Sequence, residues 1–173
     1  MIKNREFKAK VDQLAWYEQK LLNLNPTFKG TDHQKDTYYN VDTDKKLKLR
    51  EGNIENALIY YERPEIADEK SATILLYKHQ PDEQLKNILK KLQGIDIIVE
   101  KERKIFFLDN VKIHFDRVKG LGTFLEVEAI KDEDSSITET KLEKQCSEMR
   151  TYFSIQDDQL SAYSYADLLR DVK

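Results

Sequence analysis

Several short segments of this chain carry charges of one sign at every second position. Lys46, Lys48 and Arg50 alternate with Leu47 and Leu49, and Lys101 and Arg103 are flanked at the same spacing by Val99 and Ile105. Glu126 and Glu128 alternate with Leu125, Val127 and Ala129, and Asn4, Glu6, Lys8 and Lys10 alternate with Arg5, Phe7, Ala9 and Val11. Side chains of an extended strand point alternately to its two faces, so each row shares one face. A solvated outer face is the bland explanation. Solvated faces, however, usually mix both signs, and like charges two residues apart repel. Separate acidic and basic rows fit a cation beside the first and a polyanion beside the second. Mg²⁺ or Mn²⁺ takes carboxylate oxygens together with waters and phosphate oxygens. Lys and Arg neutralise phosphate, Arg through paired hydrogen bonds.

The elements that must position these rows are legible from periodicity. Strands are expected at 2–11, 35–42, 45–51, 56–63, 71–78, 97–108, 111–118 and 123–131, with turns at Asp42-Thr43-Asp44, Gly52-Asn53, Pro64-Glu65, Asp109-Asn110 and Gly120-Leu121-Gly122. Helices are expected over 12–24, over 82–93 with Asp82 as cap and Leu85, Ile88, Leu89 and Leu92 as its apolar stripe, and over 137–153 behind Ser136-Ile137-Thr138-Glu139. Ser164-Tyr165-Ala166-Asp167 opens a short last helix. This order is α+β, and about eight antiparallel strands tend to curl or close into a barrel, whose interior can hold a ligand.

Composition narrows the function classes. The 173 residues are read as a single domain over 1–173, with 39% hydrophobic and 35% charged residues. The 29 basic and 32 acidic residues give a net charge of -3, with the basic residues divided among strands, which argues against nucleic acid as a partner. No apolar run approaches the roughly 20 residues of a membrane span, and Met1-Ile2-Lys3-Asn4-Arg5-Glu6 lacks an apolar signal core, so a cytoplasmic protein without a membrane partner is expected. Cys146 stands alone and is assigned to the core; it excludes an intramolecular disulfide and a Cys-based zinc cluster. Neither a G-x-G-x-x-G nor a P-loop occurs, so side chains must hold any phosphate. His33, His79 and His114 show no metal-ligand spacing, with His33 placed nearest a barrel mouth. Tyr60, Tyr61 and Tyr77 are read as packing residues, and Trp16 as packing the first helix onto the barrel.

The sequence also resembles a known family. Asn4-Arg5-Glu6-Phe7-Lys8 is similar to the amino-terminal E-x-E-x-K of the CYTH superfamily, the triphosphate tunnel metalloenzymes. The likeness continues through His33-Gln34-Lys35-Asp36-Thr37-Tyr38-Tyr39, Leu47-Lys48-Leu49-Arg50-Glu51, Tyr60-Tyr61-Glu62-Arg63-Pro64, Val99-Glu100-Lys101-Glu102-Arg103 and His114-Phe115-Asp116. It ends with Gly120-Leu121-Gly122-Thr123-Phe124-Leu125-Glu126-Val127-Glu128 and Ser164-Tyr165-Ala166-Asp167-Leu168-Leu169, which resemble the class IV adenylate cyclase branch. The resemblance implies an antiparallel eight-stranded closed or nearly closed β-barrel with flanking helices. It implies Glu6, Glu126 and Glu128 around Mg²⁺ or Mn²⁺, and Lys8, Lys48, Arg50, Lys101 and Arg103 on the phosphates. Arg63, Lys10 and Asp116 are added on weaker matches. Glu6, Lys8, Arg50 and Arg103 would carry catalysis. The implied reaction converts ATP to cyclic AMP and pyrophosphate; the alternatives are hydrolysis of inorganic, thiamine or nucleoside triphosphate, or binding with weakened catalysis. A homodimer is also implied. Asn4 stands where the family pattern has its first Glu, removing one negative charge, and Glu62 stands where some cyclases carry Lys.

Overall fold

The computed structural model describes residues 2–42, 45–62, 70–132 and 135–172, with their side chains except at 2–3 and 70–73. Eight strands run in chain order as β1 (Ile2–Lys10), β2 (Thr27–Tyr39), β3 (Lys45–Glu51), β4 (Ala57–Glu62), β5 (Lys70–Lys78), β6 (Ile95–Leu108), β7 (Val111–Val118) and β8 (Gly122–Lys131). They close into a barrel in the order β1-β5-β4-β3-β2-β6-β7-β8, and β1 completes the ring by pairing antiparallel with both β5 and β8. Four α-helices flank it: α1 (Leu14–Leu22), α2 (Glu83–Gln93), α3 (Glu139–Phe153) and α4 (Tyr165–Val172). Among the described residues no helix is long and apolar enough to cross a membrane. The expected turns at Thr43-Asp44 and Pro64-Glu65 lie outside the described residues, as does Arg63.

The main hydrophobic core lies outside the barrel. Phe7 and Ala9 of β1, Ile113 and Phe115 of β7, and Leu125 and Val127 of β8 point away from the barrel axis and bury against Leu142, Cys146, Met149 and Phe153 of α3. Each fully buried Phe or Leu contributes about 1.5–3 kcal/mol through removal of apolar area from water. Strict alternation then turns the other face of the same strands inward, so the apolar outer contacts set the register that presents the charged rows to the interior.

A second cluster closes one end of the barrel. Tyr165 at the start of α4 packs on Phe124, with ring centroids 4.9 Å apart, among Tyr38, Val99 and Val118. The entry to α4 is fixed by a reciprocal cap: Asp167 N–H donates to Ser164 Oγ at 3.2 Å, while Ser164 N–H donates to Asp167 Oδ2 at 3.1 Å.

Four local expectations are corrected. β2 begins at Thr27 rather than 35, since pairing with β6 continues through a bulge between Phe28 and Gly30. The third helix begins at Glu139, with Thr138 as its cap. The apolar stripe of α2 buries none of its residues, leaving Ile88 and Leu92 exposed. Trp16 is half exposed and lies edge-on to Tyr17, while Leu14 and Leu21 anchor α1.

Candidate functional site

The barrel holds a cavity of about 560 Å³, to which all eight strands contribute side chains. Glu6, Lys8, Lys48, Arg50, Lys101, Arg103, Glu126 and Glu128 all line it, so the strand alternation brings these eight sequence-selected residues into one space. Lys10 does not join them; it is exposed at the last position of β1. Asn4 lines the cavity as well.

One wall is basic and organised by a carboxylate that periodicity alone left unassigned. Asp36 on β2 accepts from Arg50 Nε at 2.8 Å and from a terminal guanidinium nitrogen at 2.9 Å. Lys101 Nζ reaches the same carboxylate at 2.8 Å and Lys48 Nζ at 3.1 Å. Burial acts to raise the Asp36 pKa, but Arg50, Lys101 and Lys48 outweigh it and hold the group well below the usual carboxylate range. Lys101 responds the other way: burial, reinforced by Arg50, Arg103 and Lys48 against the pull of Asp36, pushes its ammonium down to about 7. Three basic side chains thus gather around one carboxylate, an arrangement suited to a polyanion.

Glu55 links this wall to the next. It accepts from Arg50 at 3.1 Å and from Lys112 of β7 at 2.6 Å. It is held in place through the β3–β4 turn, where Asp32 accepts the backbone N–H groups of Ile54 and Glu55 at 2.9 and 3.0 Å. Gly52 is required in that turn, because a Cβ there would stand 2.5 Å from Asp32 Oδ1.

The opposite wall is acidic. Cross-strand pairing places Glu6 beside Glu128 and Lys8 beside Glu126, while His114 of β7 pairs with Glu126. One ligand atom each from His114, Glu126 and Glu128 lies within 4.8 Å of the others. Burial, then the charges of Glu126 and Glu6, push the Glu128 carboxyl up to about 7. Burial, then Arg103 and Lys112, push His114 down to about 3 against the opposing pull of Glu126, so the imidazole is neutral. Asn4 donates to Glu6 Oε2 at 2.8 Å, which leaves its buried Oδ1 without a partner. Carboxylates crowded together beside a buried imidazole fit a divalent cation, which Glu126, Glu128 and His114 could hold, with Asn4 in the same cavity.

Arg103 stands between the walls and is tied on both sides. It donates to Asp116 at 2.7 and 2.5 Å and to Glu126 at 2.6 Å, and Asp116 also accepts from Tyr165 at 2.7 Å. Its guanidinium therefore positions two carboxylates as much as it presents charge.

A third wall is apolar. Ala57, Ile59 and Tyr61 of β4 are buried and pack with Ile74 of β5, and all four line the cavity beside Leu76.

The CYTH domain pattern matches residues 3–159. The chain belongs to the CYTH family. A protein of Methanocaldococcus jannaschii, named only as a candidate adenylate cyclase, is 27% identical over 172 residues, covering 94% of this chain and 96% of its own. The fold of this CYTH domain is shared by the PH1012 protein of Pyrococcus horikoshii, with a TM-score of 0.83 at 23% identity over 95% of this chain and 98% of that one. It is shared also by the HpAC1 protein of Hippeastrum, a candidate adenylyl cyclase described as having a dominant triphosphatase activity, with a TM-score of 0.65 at 13% identity over 100% and 97% of the two chains.

Sequence reasoning assigned no role to Asp36, Glu55, Lys112 or His114: Glu55 and Lys112 line this CYTH cavity, while Asp36 and His114 are buried beside its lining residues Arg50 and Glu126. A signal existed for Lys112 and His114, which with Asp116 alternate with Ile113 and Phe115, whose apolar side chains mark the outer face. His33, expected nearest a barrel mouth, is exposed on the outside, because its neighbours Asp32 and Gln34 are the buried positions of β2.

Proposed function

We propose that this CYTH domain is a divalent-metal-dependent enzyme acting on a nucleoside triphosphate, forming cyclic AMP and pyrophosphate from ATP. The observation that carries the proposal is the placement of a cationic wall and a carboxylate-rich wall on facing sides of one barrel cavity. Lys48, Arg50 and Lys101 neutralise and orient the phosphate chain, with Lys8 and Arg103 at its margin. Glu126, Glu128 and Glu6, with the Asn4 oxygen, hold the metal, Mg²⁺ or Mn²⁺. The bound cation supplies charge neutralisation and polarisation of phosphate oxygens.

The apolar wall supports a substrate with an organic part rather than bare triphosphate. Ile59, Tyr61, Ile74 and Leu76 offer an apolar surface for a nucleoside, while inorganic triphosphate would leave that surface against water. With the chain held by the basic wall, the ribose 3′-oxygen attacks the α-phosphorus in line. The bond to the β-phosphate bridge breaks, pyrophosphate departs, and the hydroxyl proton passes to solvent.

Hydrolysis is the second reading, favoured by the activity described for the Hippeastrum protein of the same fold. The same walls would hold the chain while water attacks the γ-phosphorus. Incubating the protein with ATP, and separately with inorganic triphosphate, in Mg²⁺ or Mn²⁺ and resolving the products distinguishes the two. Cyclic AMP with pyrophosphate is the expected result. Orthophosphate without cyclic AMP supports hydrolysis, and tight binding with no turnover contradicts both.

A further inference from the structure

His114 lies at the middle of β7, fully buried, and neither ring nitrogen has a hydrogen-bond partner. An unpaired buried polar group is costly, because its lost water is not replaced, so a buried imidazole with two such atoms calls for a ligand. Its inward-facing cross-strand neighbours are Ile105, which offers nothing polar, and Glu126. Glu126 Oε2 accepts from Arg103 at 2.6 Å, with the second oxygen of that carboxylate left for an ion. His114 Nδ1 stands 3.7 Å from Glu126 Oε2 and 3.9 Å from Glu128 Oε1. Both separations are too long for hydrogen bonds. Both suit atoms sharing one ion, since donors each about 2.1 Å from a cation stand about 3.0–4.2 Å apart. A second unsatisfied polar atom lies in the same cavity: Asn4 Oδ1 is buried and unpartnered on β1, whose next inward residue, Glu6, pairs with Glu128.

We propose that His114 is a nitrogen ligand of the divalent cation held by Glu126 and Glu128, and that it biases this centre towards Mn²⁺ and Zn²⁺ relative to Mg²⁺. Mg²⁺ takes oxygen ligands in a near-ideal octahedron and dehydrates reluctantly, whereas an imidazole adds most to the affinity of borderline transition ions. The inference rests on the reading of the cavity as a metal-dependent triphosphate site and names the residue that sets its choice of ion. Its outer neighbours Ile113 and Phe115 are held in the core, so the strand delivers the ring to the acidic wall without a moving part.

The test is cation binding by the full chain without nucleotide. Pulsed electron paramagnetic resonance of the Mn²⁺-loaded protein should reveal coupling to an imidazole nitrogen, and the coupling should vanish in His114→Gln. Calorimetric titration should show His114→Gln losing at least tenfold in Zn²⁺ affinity while Mg²⁺ affinity changes less than threefold. Mn²⁺ binding without nitrogen coupling in the unaltered protein would overturn the role of His114 alone. Equal losses for Zn²⁺ and Mg²⁺ would overturn the selectivity. Failure of the unaltered protein to bind any of these ions would overturn the metal reading of the whole cavity.

Discussion

Asp36 meets Arg50 side-on, its two carboxylate oxygens taking two guanidinium nitrogens at 2.8 and 2.9 Å, and the same carboxylate gathers Lys101 and Lys48. Three strands are joined by this one group. It holds the cations together on one side of the cavity, the arrangement that the proposed polyanion would meet.

Asp36→Asn should therefore destabilise the protein by about 3 kcal/mol, because breaking a buried ion network leaves uncompensated charge behind. Added triphosphate supplies the missing negative charge. Thermal unfolding should show a larger upward shift with triphosphate in the variant than in the unaltered protein; an equal or smaller shift would mean that the basic wall does not meet the polyanion.

Arg103 and Asp116 form a comparable pair, but with Glu126 and Tyr165 attached. Arg103→Ala should cost roughly 3–5 kcal/mol by stranding Asp116 in the interior. Denaturant unfolding of the double variant Arg103→Ala/Asp116→Ala should show a smaller loss than the two single losses added together. Simple additivity would show that the two are not energetically coupled.

The eight residues that meet in the cavity were legible in the sequence because a strand's period of two is rigid: once Leu125 and Val127 are buried outside, Glu126 and Glu128 must face in. Asp36 was not legible. It precedes Thr37, Tyr38 and Tyr39, which are all buried, so alternation gives no outer face to read against. For His114 the alternation with Ile113 and Phe115 gives the inward face, but the Glu126 and Glu128 that meet it there are on the neighbouring strand, which spacing within one strand does not record. α2 misled for the opposite reason: its stripe is regular, yet nothing described packs on it closely enough to bury it.

Asn4→Glu restores a carboxylate to a wall that already holds Glu6, Glu126 and Glu128. Without cation the added charge should lower the melting temperature; with it, divalent affinity should rise by about tenfold, or about 1.4 kcal/mol. Calorimetric titration with Mn²⁺ checks the second point, and an unchanged affinity would place Asn4 outside the ion's reach.

Lys101 makes binding pH-dependent. Its folded-state pKa of about 7 lies below the ordinary 10.5, so between these values the unfolded chain holds a proton that the folded protein lacks. The contribution of Lys101 to stability therefore rises with pH through that window and is least below 7, where the buried ammonium must be charged. A triphosphate restores the charge, so binding at pH 8 should take up about one proton. Titrations in two buffers of different ionisation heat measure this, and Lys101→Met should remove the uptake.

The central claim is that metal and triphosphate share one cavity. The most direct measurement is the affinity for ATP with and without Mn²⁺, in the unaltered protein and in Glu128→Gln. Mn²⁺ should strengthen ATP binding at least ~tenfold, and Glu128→Gln should abolish most of that gain. ATP affinity that ignores the cation, or a gain that survives the loss of Glu128, would contradict the account.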